Sequence, residues 1–155
     1  MKTLVVVSCF VATLVASASV FSQMGMGRGG RGAMMGVSVV RHQFVMRRGL
    51  DPAYAALRNP LMADAGNLAA GKKLYEQQCA VCHGPTGQGD GEAGKSLVPP
   101  AANIANASKM PIATDGFLYW TIAEGGVPVN TSMPPFKDVL KQDEIWKVIL
   151  YVRSL

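Results

Sequence analysis

Apolar positions recur most regularly at the C-terminal end of the chain. Ile145, Val148, Ile149 and Val152 fall at i, i+3, i+4 and i+7, the spacing of one face of an α-helix. They predict a helix over about Gln142 to Arg153. A second helical stretch begins at Asp115, with Phe117, Leu118, Trp120 and Ile122 as apolar anchors and Gly125-Gly126 as its stop. A third starts near Asp64 to Asn67 and runs through Leu68, Lys72, Tyr75 and Glu76 into Cys79, with Gly84 as its end and Gly71 a small residue inside it. Asp51-Pro52 reads as an N-cap followed by proline in the first helical position, and Asn59-Pro60 as a stop, which predicts a short helix from Pro52 to Arg58. Two stretches between these helices lack sustained periodicity, 85–112 and 127–137. No segment alternates at period two for long, so the expected fold class is all-α, without strands.

A loop region as long as 85–112, rich in Gly, Pro, Asn, Ala and Ser, needs something to wrap around inside a compact domain. Composition first narrows the class: 49% hydrophobic and 16% charged residues in 155 are globular rather than disordered, with room for one domain and an appendage. The N-terminus carries Lys2, an uncharged apolar stretch from Leu4 to Ala18, and Ala16-Ser17-Ala18 as a small-x-small cleavage pattern, which predicts a secretory signal peptide over 1–18. The competing reading is an uncleaved anchor, because Thr3 to Ser22 approaches the roughly 20 residues of a bilayer span. Export with cleavage removes Cys9, leaves Cys79 and Cys82 without further thiol partners, and implies a periplasmic location.

The formal charge of +5 is unevenly placed. From Asn67 to Leu155 eight basic residues face eight acidic ones, whereas Met24 to Arg48 holds five arginines and no acid. The Gly/Arg/Met-rich stretch 24–36 has little to bury and reads as a flexible basic tail. An RNA-binding tract is its sharper interpretation, set aside because a secreted protein rarely meets RNA; nucleic acid is not an expected partner. The predicted organisation is therefore a signal peptide (1–18), a flexible basic leader with one short helix (19–66) and a domain over 67–155.

Cys79-Ala80-Val81-Cys82-His83 is the most specific signal in the chain. Two thiols on adjacent turns reach the two vinyl groups of a haem, and the next residue's imidazole reaches the iron. A thioredoxin-like pair is disfavoured by the lack of a βαβ pattern, and a zinc site by the lack of further Cys or His apart from His42. One covalent haem c is thus the expected cofactor. For the second axial position the chain offers nine methionines. Met133 is favoured because it lies in the Pro- and Gly-bounded loop 125–135 just before the last helix; Met110, His42 and an open site are the alternatives.

Gly71, Tyr75, Cys79-Cys82-His83, Gly84, Pro99-Pro100, Met133-Pro134 and the span Trp146 to Tyr151 resemble class I cytochromes c, over roughly Asn67 to Leu155. The resemblance implies a cytochrome c-like fold whose first and last helices cross, with Gly71 and Tyr75 against Val148 and Tyr151. It also implies that a carbonyl of Pro99 or Pro100 accepts the proton-bearing nitrogen of His83, and that Trp120 approaches a haem propionate. For Trp120 plain helix core is the competing reading. Asp90 and Glu92 are read as a solvated turn, because their spacing is incomplete for a calcium loop.

Segment 23–63, with Arg41-His42-Gln43-Phe44 and Asn59-Pro60-Leu61, departs from a minimal family member, and the sequence assigns it no ligand. The function expected is one-electron transfer between redox partner proteins rather than enzymatic catalysis. The alternatives are a haem subunit docked on a larger membrane or periplasmic dehydrogenase or oxidase, and an open-site haem enzyme acting on peroxide or a small gas.

Overall fold

The computed structural model describes the backbone over residues 36–155 and the side chains from residue 40 onward. The predicted signal peptide, Cys9 and most of the Gly/Arg/Met-rich tract lie outside the described residues. Among the described residues eight α-helices follow in chain order: α1 (Gly36–Arg48), α2 (Pro52–Ala55), α3 (Ala65–Gln78), α4 (Ala80–His83), α5 (Glu92–Lys95), α6 (Ile104–Ala107), α7 (Asp115–Glu124) and α8 (Gln142–Ser154), with a 3-10 turn at Val127–Val129 between the last two. Among the described residues there is no strand. None of the described helices is long and apolar enough to cross a membrane.

The helix starts obey local chemistry. Asp64 accepts from the Asn67 amide (2.8 Å) at the head of α3, and Thr114 accepts from the Phe117 amide (3.2 Å) at the head of α7, each satisfying an otherwise unpaired first-turn donor. Asp51 caps α2 through the Ala53 amide (2.8 Å). That helix ends at Ala55 rather than Arg58, because the chain is drawn away: the Asn59 amide donates to Asp115 (2.9 Å) and its side-chain amide to the Trp146 carbonyl (3.1 Å).

The core is the crossing of α3 and α8. Tyr75, Ile145, Trp146, Val148, Ile149 and Val152 are buried together, so the predicted stripe on the last helix is its inner face. Gly71 is the contact point: a Cβ there would overlap the Lys147 carbonyl oxygen and press on Tyr151, so only glycine lets the two backbones come this close. The Tyr75 and Tyr151 rings meet beside it at 5.2 Å and 56°.

A second buried cluster, Ala113, Phe117 and Trp120, is covered by Phe44, Val45, Leu50 and Tyr54. Two of those cover residues come from α1. The region read as a leader with one short helix therefore holds two helices among its described residues, and α1 packs on the domain rather than running free.

Candidate functional site

Between α1, α4, the segment 97–112 with the short helix α6 inside it, α7 and the 131–136 loop lies a cleft of about 1360 Å³, its open mouth included. Its walls are mostly apolar, from Leu97, Ile104, Ile112, Phe117, Leu118 and Ile122 among others. The long Gly- and Pro-rich loop region wraps one side of this cavity, which is the surface its composition called for.

One wall is built from the end of α3 and from α4. The Cys79 amide closes α3 on Tyr75 O (2.8 Å), and the His83 amide returns to Cys79 O (2.9 Å), so a single tight turn sets both thiols and the imidazole on the cleft. Cys79 and Cys82 are both free and partly buried. Burial, with the neighbouring Cys82 thiol adding to it, pushes the Cys79 thiol up to about 12, so it is held as the neutral thiol. His83 Nδ1 lies 2.9 Å from the Ala102 carbonyl oxygen, which assigns the proton to Nδ1 and leaves the Nε2 lone pair available. Burial lowers the His83 pKa, the Arg41 charge acts in the same direction, and the Ala102 bond opposes them; the net effect keeps the ring neutral and able to donate to a metal. The Tyr75 hydroxyl ties this wall to the core by donating to the Gly84 carbonyl (2.6 Å).

A separate part of the lining carries Met133. Its carbonyl accepts from the Gly126 amide (2.7 Å), and the Thr131 amide returns to Gly126 O (3.1 Å), so the loop closes on itself. Gly125 makes this possible with φ +57 and with the Pro134 backbone where a Cβ would stand. Arg41, reaching in from α1, donates to the Gly125 carbonyl (2.6 Å) and to Met133 Sδ (3.6 Å).

The structure brings Cys79, Cys82, His83, Pro99, Pro100 and Met133 to one cleft, together with the two rival ligands Met110 and His42. Two expectations are corrected. Pro99 and Pro100 line the cleft, but the carbonyl that accepts from His83 is that of Ala102, because the chain passes the two prolines before it turns under the imidazole. Trp120 is buried at 5% exposure and does not line the cleft. Its ring stacks on Phe44 (5.8 Å, 13°) and its face carries the Arg41 guanidinium (5.4 Å). Arg41, Thr121 and Thr131 are cleft residues to which the sequence assigned no role. Their signal was weak: an arginine beside an Arg-rich tract and two threonines in apolar surroundings look ordinary.

Among the described residues no three His, Cys, Asp or Glu side chains cluster to hold a metal ion unaided. A large apolar cleft, two free thiols and a neutral imidazole on one wall, and a thioether on the other instead fit a covalently attached haem.

A family model for cytochrome C oxidase, cbb3-type, subunit III matches residues 66–152. Among relatives, the cbb3-type cytochrome c oxidase subunit CcoP of Azospirillum sp. (strain B510) is 34% identical over 104 residues, which are 66% of this chain and 33% of that protein. The quinohemoprotein alcohol dehydrogenase ADH IIB of Pseudomonas putida is 32% identical over 95 residues, 61% of this chain and 12% of that protein. A chain of the Kuenenia stuttgartiensis reducing HAO-like protein complex superposes with a TM-score of 0.54 at 28% identity, covering 68% of this chain and 48% of that one. The chain thus spans 33% of the first relative's length and 12% of the second's.

Proposed function

The chain belongs to the cytochrome C oxidase, cbb3-type, subunit III family, and on that premise we propose that it is an exported one-electron carrier with a single haem c. A cytochrome c domain serves electron transfer. In this reading Cys79 and Cys82 would form the two thioether links, and His83 and Met133 would hold the haem iron. The observation that carries it is the convergence of these four side chains, from two separate stretches of chain, on one apolar cleft.

The haem, when bound, supplies a one-electron iron couple; the chain's own residues do the rest. Ala102 fixes the His83 tautomer and orientation through Nδ1, which leaves Nε2 for iron and raises its basicity. The closed 125–135 loop holds a soft thioether, a donor that would favour the reduced state of the iron. Apolar walls exclude water, and Met133 bound to iron would leave no vacancy for oxygen or peroxide. Residues 1–18 act as the export signal in this proposal, which places the protein in the periplasm.

A second reading is favoured by the relatives. Two of them are named as an oxidase subunit and a dehydrogenase, and the chain matches only a fraction of each. This reading makes the protein the electron-transfer subunit of a larger, membrane-bound or periplasmic oxidoreductase, rather than a free carrier between soluble partners.

The first experiment is the optical spectrum of the purified protein, oxidised and reduced, with that of Met133→Ala. A low-spin c-type spectrum with a weak sulfur-to-iron band in the near infrared, lost in the variant, is expected. A high-spin or bis-histidine spectrum in the wild type overturns the ligand assignment and redirects it to an open site or to His42. Co-purification from the native membrane at low salt separates subunit from free carrier.

A further inference from the structure

Helix α1 precedes the family-matched segment, yet it delivers Arg41 into the cleft. Arg41 is only 5% exposed. Its Nη2 is used by Gly125 O and Met133 Sδ, whereas its Nη1 is buried and has no partner. The guanidinium is gripped between the Trp120 face and the 125–126 turn, with Phe44 stacked behind Trp120.

The electrostatics around it are one-sided. Among the described residues no Asp or Glu lines the cleft; the titratable groups that do, besides Arg41, are His42, His83, Cys79 and Cys82. Residues 1–50 contain no acid at all, so the chain before Asp51 has no carboxylate to offer. Burial lowers the Arg41 pKa to about 10, which still leaves it protonated at neutral pH. A buried cation without a counter-ion is unfavourable, and proteins place one where a ligand brings the anion. Thr121 and Thr131, whose hydroxyls are also buried without partners, line the same cleft.

The geometry points to Arg41 as the residue that binds a carboxylate of the haem through Nη1, an inference that rests on the haem reading above. The planar guanidinium is suited to this, since one edge can stay on Gly125 and Met133 while the other takes the carboxylate. The helix upstream of the family segment thereby becomes part of the cofactor site, and one side chain links the carboxylate to the loop that carries the sulfur.

The test uses the holoprotein as wild type, Arg41→Gln and Arg41→Lys. Midpoint potentials are measured across pH with the near-infrared sulfur band recorded in parallel. Removing the cation should raise the carboxylate's pKa by roughly one to three units, into the range where it titrates near neutrality. An ionised carboxylate favours ferric iron, so the potential of Arg41→Gln should fall with rising pH over a window where the wild type is level, and Arg41→Lys should restore most of the level profile.

A profile in Arg41→Gln that matches the wild type, even with lowered thermal stability, overturns the assignment and leaves Arg41 a brace for the 125–135 loop. Should Arg41→Gln lose the sulfur band, the wild type alone decides through infrared difference spectra with carbon-13 in the haem carboxyls. A carboxylate that stays ionised from mildly acidic to alkaline pH supports the pairing, and a protonated-carboxyl band near neutrality sinks it. Absence of haem from the purified protein would instead remove the reading on which the inference stands, a result visible before any variant is made.

Discussion

The two walls of the cleft are built in different ways. The wall with Cys79, Cys82 and His83 is local: five consecutive residues on one turn, locked to the core by Tyr75 and set by the α3–α8 crossing. The wall with Met133 is assembled from distant parts, since Arg41 and Met133 touch across 92 positions and the turn between them is closed by Gly125 and Gly126. A local wall can be specified by spacing alone, because the backbone geometry of one turn fixes the side chains. An assembled wall depends on tertiary packing, so its chemistry is visible only once the fold is known.

This contrast can be broken from either side, and the largest effect belongs to the crossing. Gly71→Leu forces a side chain into the Lys147 carbonyl and should destabilise the protein by about 3 kcal/mol or more, measured by urea unfolding. Tyr75→Phe leaves the Gly84 carbonyl without its partner and should cost about 2 kcal/mol in the same assay. On the assembled wall, Phe44→Ala removes the stack behind Trp120 and should cost about 1 kcal/mol. Its sharper signature is a weakened sulfur-to-iron band, which the Tyr75 variant should leave intact; the reverse pattern would refute the division into two walls.

The smallest effect is pH-dependent and lies where α2 meets α7. The Tyr54 hydroxyl donates to Glu124 at 2.5 Å, and Lys137 pairs with the same carboxylate at 2.9 Å. Burial and Glu124 push the Tyr54 pKa from 10.0 up to about 12. A raised pKa means that the contribution to stability is fully present below pH 10.0 and is lost as pH rises through about 12. Tyr54 and Lys137 hold Glu124 below its ordinary value of 4.5, so its contribution is present above that value and fades as pH falls through the depressed range. Tyr54→Phe should flatten both ends of the stability profile, read from thermal melts at graded pH; an unchanged profile would remove this pair from the account.

Most of the α3–α8 core was legible, because Ile145, Val148, Ile149 and Val152 repeat at the helical period and Gly71 stands out inside a helix. The positions of Cys79, Cys82, His83 and Met133 on one cleft followed from spacing and from loop punctuation. Helix α1 was not legible: it begins at a glycine next to a Gly/Arg tract, carries β-branched Val37, Val39 and Val40, and offers no capping residue. Arginine usually marks a solvated face, so nothing in the order of residues announces that Arg41 is buried. The Ala102 carbonyl was invisible for another reason, since a backbone acceptor has no side-chain signature. For Trp120 the sequence shows burial but does not choose between cleft and helix core, because the direction the ring faces depends on α1.

The Arg41 contact with the 125–126 turn also bears on how this domain could be recombined. A graft that begins at residue 66 would carry the attachment turn, the last helix and the methionine loop, and would leave α1 behind. Such a chimera would inherit a sulfur loop with its outer support missing. For anyone joining this module to another protein, the natural splice point lies upstream of residue 36, so that the helix travels with the loop it braces.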